Sequence, residues 1–285
     1  MTLAYGAATL TLVSTLLLVV LIAFGLLFIG CVGYVAISYT IAFGLRPMIG
    51  DKPQVLRAAF AELLACLILL PFYPLWLLVG ASYAAGLEGE GSAGPRRHPV
   101  ILLHGFAMNR TSWVWLGSRL AARGLGPLYA TSYFSPQSVP VSARHLGHFV
   151  ERVLAREDAT QVDIVAHSLG GVVARYYLER MGGDRRVARL VTIASPHQGT
   201  LLGRLGMMTS TRQIHHHSPF LTDLGAPRPG VAYTSVWSRS DAIVIPAESA
   251  SIAPAGEDRV FDGLGHLSLL MSPRVLDVVA ERLAT

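Results

Sequence analysis

The segment VDIVAHSLGG at residues 162–171 decides the fold of this 285-residue chain. A β-branched apolar run stops abruptly at Ser168, and the residues that follow, 172–178, have the apolar stripe of a helix. A sharp turn between strand and helix strains the backbone at the serine and exposes its hydroxyl, as in a nucleophile elbow. The small residues Ala166 and Gly170 let the strand and the helix approach each other. Such a short pattern also arises by chance, so its value depends on the rest of the chain.

From residue 98 onwards, segments with the pattern of strands alternate with segments with the pattern of helices. The strand candidates are 99–104, 128–132, 161–167, 189–195, 232–237 and 259–261, and the helix candidates are 111–123, 141–156, 169–181 and 266–283. This alternation predicts an α/β fold with a parallel, doubly wound sheet. Functional sites in such sheets form at the carboxyl ends of the strands, which is where Ser168 lies.

Asp241 and His266 are the predicted partners of Ser168. A serine hydroxyl is a poor nucleophile at neutral pH and needs a histidine base that is oriented by a carboxylate. Asp241 lies in the loop after the strand candidate 232–237, and His266 lies in a glycine-rich loop before the last helix. The order serine, aspartate, histidine along the chain is the one that folds with a nucleophile elbow use. We therefore predict that these three residues form a catalytic triad.

Other carboxylates and histidines fit these roles less well. Asp258 and Asp262 are typical of turns, and Asp223 follows no strand candidate. His197 is expected to shape the pocket or brace its loop. The histidines at 215–217 invite a metal site, but adjacent histidines point in different directions and no carboxylate cluster accompanies them, which favours a solvated loop or a lipid-headgroup contact. We predict no metal ion and no cofactor.

The oxyanion of a tetrahedral intermediate needs two aimed backbone N–H donors. The first predicted donor is the N–H of Leu169, the residue after the nucleophile. The second is the N–H of Phe106, because Gly105 permits a sharp bend after the first strand. His104, which lies just before this bend, is expected to brace the loop rather than to carry a proton.

Five motifs resemble those of the α/β-hydrolase superfamily, and specifically of its bacterial lipase and esterase branch. They are HGF at 104–106, AHSLGG at 166–171, SPHQGT at 195–200, SRSDAIVIP at 238–246 and GH at 265–266. The resemblance implies an α/β-hydrolase fold with a mostly parallel sheet of about six strands. It implies the triad roles for Ser168, Asp241 and His266. It also implies that the amides of Phe106 and Leu169 form the oxyanion hole.

Residues 1–85 are predicted to form a membrane anchor, and a linker at 86–97 joins it to the catalytic domain at 98–285, the part that the resemblance covers. Charged residues make up 14% of the chain, against about 25% in soluble domains. About 20 apolar residues span a bilayer, and the uncharged run that ends at Leu45 predicts a transmembrane helix at about 8–30. A signal peptide is the alternative, but no basic residue precedes the run, and the run is longer than the apolar part of a signal peptide.

A second apolar segment, at about 60–80, is interrupted by Pro71 and Pro74. It is expected to be a second transmembrane helix, with a re-entrant or surface segment as the alternative. Basic residues exceed acidic ones between the two segments, which favours a cytoplasmic loop and hence a catalytic domain on the periplasmic side of a bacterial inner membrane. The formal charge of +5 comes from scattered arginines without a nucleic-acid motif, so no nucleic-acid partner is predicted.

These features predict a membrane-anchored serine hydrolase that cleaves lipid carboxylic esters through an acyl-enzyme. The bilayer is the expected partner, because it raises the local concentration of a lipid substrate. The segment 201–229, with Met207 and Met208, is the expected lid or acyl groove; Trp113 is a further candidate for the acyl pocket, with helix packing as the alternative. The same triad would serve an acyltransferase or a thioesterase. A catalytically silent membrane binding or regulatory protein is the alternative from another functional class.

Overall fold

A computed structural model of the chain describes residues 2–45, 52–71, 73, 98–227 and 230–285. The predicted linker at 86–97 lies outside the described residues, as do positions 72 and 74–80 of the second apolar segment. The described residues form two N-terminal helices followed by an α/β domain.

Six strands in the described residues form one sheet. They are β1 (Val100–Leu103), β2 (Leu128–Thr131), β3 (Val162–His167), β4 (Val187–Ile193), β5 (Ala232–Ser238) and β6 (Glu257–Phe261). All neighbours are parallel, in the order β2-β1-β3-β4-β5-β6. The predicted parallel sheet of six strands is confirmed, although β4 and β6 each begin two residues earlier than predicted.

Helices cover both faces of this sheet. The α-helices of the described residues are α1 (Thr2–Leu45), α2 (Lys52–Leu69), α3 (Val114–Ala122), α4 (Val139–Glu157), α5 (Leu169–Arg180), α6 (Thr209–Gln213), α7 (Pro219–Leu224) and α8 (Pro273–Ala284). Ile101 and Leu103 of β1 face α4 and α5, whereas Val100 and Leu102 face α3 and α8. Since both faces are buried, the central strands are continuous apolar runs rather than alternating ones. The sheet is therefore doubly wound, as predicted.

The last helix begins later than its apolar pattern predicts. The predicted element started at His266, but residues Ser268–Met271 form a short 3-10 turn and α8 starts only at Pro273. A residue before proline is pushed out of the helical region, and Ser272 is extended, with φ −84° and ψ 123°. His266 therefore lies on a loop, one short turn away from the helix.

Helix α1 has two halves with different surroundings. Apolar side chains between Leu17 and Ile29 are largely exposed, whereas Cys31, Val35, Tyr39 and Ala42 form a buried stripe at helical spacing. Within the described residues, one stretch, Leu17–Leu45, is long and apolar enough to cross a bilayer, and its length and composition equally fit a signal sequence.

The buried stripe of α1 joins both N-terminal helices to the α/β domain. Val35, Tyr39 and Ala42 form one apolar cluster with Val55 and Ala58 of α2 and with Ala242 and Ile245 of the loop after β5. The hydroxyl of Tyr39 donates a hydrogen bond to the carbonyl oxygen of Ser240 at 3.2 Å. The N-terminal helices thus contact the loop that carries Asp241.

Candidate active site

Ser168 lies on the strained turn between β3 and α5. Its φ of 52° is in the left-handed region, which non-glycine residues rarely adopt. A Cβ on Gly170 would lie 2.6 Å from the carbonyl oxygen of His104 and 2.7 Å from that of Leu103, so only glycine fits where α5 passes the backbone of β1. Ala166 is fully buried in the core. The local geometry is that of the predicted nucleophile elbow.

Asp241 and His266 are paired in the structure. His266 Nδ1 lies 2.8 Å from Asp241 Oδ2, and both residues are buried. The other carboxylate oxygen, Oδ1, accepts hydrogen bonds from the N–H groups of Ile243 and Val244 at 2.7 and 3.1 Å. With Oδ1 fixed by two backbone donors, Oδ2 is held toward the imidazole. This arrangement orients the ring and leaves Nε2 as the nitrogen that can act as the base.

The charges around His266 favour its protonated form. Burial by itself lowers the pKa of His266, but the charge of Asp241, the hydrogen bond to it and the charge of Glu62 raise it, and the net pKa lies above the ordinary value. A histidine that picks up a proton from a serine gains from such surroundings, because the imidazolium is stabilised at the moment it forms. The site is thus electrostatically suited to general-base chemistry.

His167, the residue before the nucleophile, supports the histidine loop from the other side. Its Nε2 lies 3.2 Å from the carbonyl oxygen of His266, and the two rings are 4.8 Å apart. Burial, and next the nearby His266, lower the pKa of His167 well below its ordinary value, so it is neutral and can donate from Nε2. The sequence predicted no separate role for His167, which appeared there only as part of the elbow motif.

The loop after β1 lies directly against the nucleophile. A Cβ on Gly105 would be 2.9 Å from that of Ser168, which leaves glycine as the residue that lets the loop approach. His104 holds the loop: its Nδ1 bonds the Gly105 carbonyl at 2.8 Å, and its Nε2 accepts from the N–H of Tyr133 at 3.1 Å. Burial lowers the pKa of His104 to about 4, so it is neutral and acts as a brace.

The two predicted oxyanion donors border the serine. Phe106 follows Gly105 in this loop and lines the same cavity as Ser168. Leu169 is the first residue of α5, and the first N–H groups of a helix have no carbonyl partner within it. The next residue along the loop, Ala107, is fixed by donating its N–H to Ser135 Oγ at 2.8 Å. The role of the Phe106 and Leu169 amides as oxyanion donors stays a prediction.

Ser168 and His266 open into a cavity of about 400 Å³. Much of its wall is apolar and comes from the N-terminal helices; the lining residues are Tyr34, Cys66, Leu69, Leu70, Tyr73, Phe106, Ala107, Met108, Ser112, Ser168, Ile243, His266 and Leu267. The volume is in the range of sites for small organic ligands, which begins at about 300 Å³. The N-terminal region therefore forms part of the wall of the cavity that holds Ser168 and His266.

The substrate-binding candidates are placed elsewhere. Trp113 is 1% exposed and packs in the core with α3 and α8, which agrees with the helix-packing alternative. Met207 and Met208 are 81% and 44% exposed, in the segment before α6. None of the three is among the residues that line the cavity. An aromatic residue close to an oxyanion loop has the same sequence pattern in a core as in a pocket, so the sequence could not separate the two.

The remaining histidines have structural contacts. His197 Nε2 lies 2.9 Å from Thr192 Oγ1, and the His197 carbonyl accepts from Arg175 at 3.3 Å, as expected of a residue that braces its loop. In the histidine run, His216 Nδ1 lies 3.2 Å from Ser249 Oγ. Over the ranges that the structure describes, no three His, Cys, Asp or Glu residues are grouped so that they could hold a metal ion.

Glu62 was missed by the sequence analysis as a residue of the site. It lies on α2, is 2% exposed, and its carboxylate accepts hydrogen bonds from the N–H groups of Leu267 and Ser268 at 2.9–3.0 Å. These two residues directly follow His266. The available signal was a single carboxylate within an apolar helical segment, because an ionisable residue in such a segment is a functional candidate by default.

The chain is similar to known lipases. The family model for lipase (class 2) matches residues 97–259, more than half of the chain. A triacylglycerol lipase of Pseudarthrobacter phenanthrenivorans is 34% identical over 112 residues, which are 36% of this chain and 34% of that protein. A triacylglycerol lipase of Burkholderia plantarii is also 34% identical over 112 residues, 36% of this chain and 31% of that protein. The match thus spans about a third of the length of these curated relatives.

Solved structures share the architecture. A lipase of Bacillus licheniformis in its mature form superimposes with a TM-score of 0.59 at 14% identity, over 68% of this chain and 96% of that one. Lipase B of Aspergillus fumigatus gives a TM-score of 0.61 at 18% identity, over 73% of this chain and 55% of that one. At these identities the likeness concerns the fold alone, and it confirms the α/β-hydrolase fold. Together with the matched family model, it shows that the chain belongs to the class 2 lipase family.

Proposed function

We propose that the protein hydrolyses carboxylic esters of lipids through an acyl-enzyme formed at Ser168. The observation that carries the proposal is the cavity of about 400 Å³ in which Ser168 and His266 meet a largely apolar wall. Membership of the class 2 lipase family supports ester hydrolysis as the reaction. An apolar wall beside the nucleophile suits an acyl chain, because burying its methylene groups is favourable.

The reaction follows from the roles of the three residues. Ser168 Oγ attacks the ester carbonyl while His266 Nε2 takes its proton, and Asp241 stabilises the imidazolium. The carbonyl oxygen becomes an oxyanion that accepts hydrogen bonds from the amides of Phe106 and Leu169. His266 then gives the proton to the leaving alcohol oxygen, and the acyl group stays on Ser168. A water molecule, deprotonated by His266, then attacks the acyl carbonyl. The bond from the acyl group to Ser168 Oγ breaks, His266 returns the proton to Oγ, and the fatty acid is released.

We further propose that α1 anchors this enzyme in a bilayer. Apolar side chains between Leu17 and Ile29 are largely exposed. They belong to α1, which is strongly apolar as a whole. On α2, Leu56, Phe60, Leu64 and Ile68 form an exposed apolar stripe at a spacing of four residues. Both surfaces would be covered by lipid. The contacts of α1 with α2 and with the loop after β5 favour a retained anchor over a cleaved signal sequence.

The orientation of the anchor stays a prediction. Glu62 contacts the residues after His266, and Leu69 and Leu70 line the cavity with Ser168, so α2 lies on the same side of the bilayer as the catalytic domain. That side is periplasmic or cytoplasmic according to the direction in which α1 crosses. Protease accessibility of the catalytic domain in intact and in permeabilised cells distinguishes the two: cleavage in cells with only the outer membrane opened supports the periplasmic side, and protection there supports the cytoplasmic side.

Hydrolysis of a series of p-nitrophenyl esters by the detergent-solubilised full chain tests the proposed reaction. We expect a preference for long acyl chains and a loss of turnover of about 10³-fold or more in Ser168→Ala, because the nucleophile is removed. Ser118→Ala is the matched control, since Ser118 is an exposed serine on α3 that bonds only to the Trp115 carbonyl of its own helix.

The outcomes separate the candidate reactions. Equal activity of Ser168→Ala and the wild type would refute the triad. Labelling of Ser168 by a fluorophosphonate without hydrolysis of any ester would shift the function to acyl transfer or thioester chemistry. Activity on short chains only would make the protein a small-molecule esterase. The absence of both fluorophosphonate labelling and ester turnover would favour a silent binding protein.

A further inference from the structure

We propose that Glu62 of α2 is a positioning residue for the catalytic histidine, so that the N-terminal helices complete the active site and do more than hold it at a membrane. This inference rests on the proposed function, because it assigns a partner to the base of that reaction. Residues 58–70 carry no charged side chain apart from Glu62. A carboxylate in such a segment is costly to bury unless its hydrogen-bonding groups are satisfied. The identity of its partners therefore indicates its role.

In the described residues, the carboxylate of Glu62 accepts hydrogen bonds from two backbone amides and one hydroxyl. The N–H of Leu267 lies 2.9 Å from both carboxylate oxygens, and the N–H of Ser268 lies 3.0 Å from Oε2. The hydroxyl of Tyr34, on α1, donates to Oε1 at 3.4 Å. An ionised carboxylate is an acceptor only, so the ionised form matches this set of donors. Burial raises the pKa of Glu62, whereas the amides of Leu267 and Ser268 and the charge of His266 act against that rise. Glu62 thus makes a rigid backbone contact immediately after His266, and its ionised form adds a negative charge there.

The loop that carries His266 is shaped to receive α2. A Cβ on Gly265 would lie 2.6 Å from Glu62 Oε2 and 3.0 Å from Glu62 Cβ, so a larger residue would displace the helix. Gly263 has a φ of 70°, and a Cβ there would meet Gln54 and Arg57 of the same helix. The loop is therefore fitted to α2 along several residues, with Glu62 at its centre.

His266 is held at three points, and one of them comes from outside the α/β domain. Asp241 holds the ring at Nδ1, and His167 holds the backbone carbonyl at 3.2 Å. Glu62 holds the two amides that follow. A base that must reach a serine proton loses efficiency when it is misplaced by even about 1 Å. Loss of the third point should therefore lower the rate of the chemical step without removing any group that touches the substrate.

Glu62→Gln in the full-length, detergent-solubilised protein tests this role. Glutamine keeps the shape, but its amide nitrogen would face an N–H donor, and its charge is lost. We expect kcat to fall by about 10- to 100-fold with KM little changed, because the base is misoriented and its imidazolium is less stabilised. We also expect the acid limb of kcat/KM to move to lower pH by about half a unit or more, because a negative charge near His266 is removed. A purely structural role would not move this limb.

The groups that face His266 make the pH readout specific. Asp241 and Glu62 are the negative charges, and His167 is neutral. Glu151→Gln is the matched control, since Glu151 is exposed on α4 and pairs with Arg186 at the surface. It changes the net charge by the same amount and should leave both kcat and the acid limb in place.

Glu62→Asp keeps the proposal testable where Glu62→Gln fails to fold. Aspartate keeps the charge but is one methylene shorter, so kcat should fall while the acid limb stays in place. Wild-type kcat and pH profile in a folded Glu62→Gln or Glu62→Asp protein would overturn the proposal.

The rate of fluorophosphonate labelling at Ser168 distinguishes this failure from failure of the proposed function. Labelling needs only an activated serine, so it should slow in Glu62→Gln even where no ester is turned over. A labelled wild type that hydrolyses no ester would refute the proposed function and leave the Glu62 comparison standing. A wild type that is neither labelled nor active would refute both.

Discussion

The α/β domain and the N-terminal helix pair are held in place by different means. The central strands of the domain are buried on both faces by α3 and α8 on one side and by α4 and α5 on the other. The helix pair leaves many of its apolar side chains exposed. Its contacts with the domain include one apolar cluster, the Tyr39–Ser240 hydrogen bond, the fit of α2 to the His266 loop and the carboxylate of Glu62. The few polar side chains of the helix pair therefore indicate more about its role at the site than its apolar composition does.

The largest expected effect separates the two carboxylates beside His266. Asp241 belongs to the α/β domain and bonds the ring itself at 2.8 Å, whereas Glu62 belongs to the helix pair and bonds only the following backbone. Asp241→Asn should lower kcat by about 10⁴-fold, because the ring loses its orienting acceptor and adopts the wrong tautomer. Glu62→Gln should cost far less. Steady-state kinetics of both variants on one ester check this ranking.

Asp277→Asn is the control for Asp241→Asn. Asp277 is exposed on α8 and forms a surface ion pair with Arg123, which contributes little to stability. This variant should therefore retain wild-type turnover and folding. An equal loss of kcat in Asp241→Asn and Glu62→Gln would show that the division between a domain-borne and a helix-borne contribution is wrong.

A smaller effect sharpens the comparison at the cavity wall. Leu70 follows α2 and lines the cavity, so a larger side chain there should shorten the space for an acyl chain. In Leu70→Trp, we expect kcat/KM for long-chain p-nitrophenyl esters to fall about 10-fold and that for short-chain esters to fall less, because a long acyl chain needs more of the cavity volume that the tryptophan would fill. The ratio of the two rate constants is the measurement.

Leu56→Trp provides the matched control, because Leu56 lies on the same helix but is 72% exposed. It should leave chain-length preference unchanged in detergent. If Leu70→Trp reduced activity on all chain lengths alike, the helix pair would support the loop without forming the acyl site.

The sequence predicted features that depend on neighbouring residues better than features that depend on residues far apart in the chain. The strands were predicted because double burial makes them local apolar runs. The triad was predicted because its members follow strand candidates in a known order, and the structure pairs Asp241 with His266. Glu62 could not be assigned in the same way, since its partner Leu267 is 205 residues away and no local pattern joins them. The membrane contact that the apolar composition of α2 predicts stays a prediction, and this composition gave no signal of the cavity that Leu69 and Leu70 line together with Ser168.

The pH dependence of the wild type is the smallest effect. The pKa of His266 is raised, because the charge and hydrogen bond of Asp241 and the charge of Glu62 outweigh burial, which lowers it. A protonated His266 cannot accept the proton of Ser168, so activity is lost as pH falls through this pKa. The midpoint of the acid limb of kcat/KM, which reports the free enzyme, should therefore lie above the ordinary histidine value of about 6.5.

The acid limb of kcat/KM also compares the α/β domain with the helix pair, since the first contributes the charge of Asp241 and the second that of Glu62. Removing the charge of Glu62 should bring the midpoint back toward the ordinary value, whereas removing that of Glu151 on α4 should not. A wild-type midpoint at or below the ordinary value would mean that burial dominates and that the helix pair adds no effective charge to the site. A raised midpoint that Glu62→Gln leaves in place would assign the whole shift to Asp241, and hence to the α/β domain by itself.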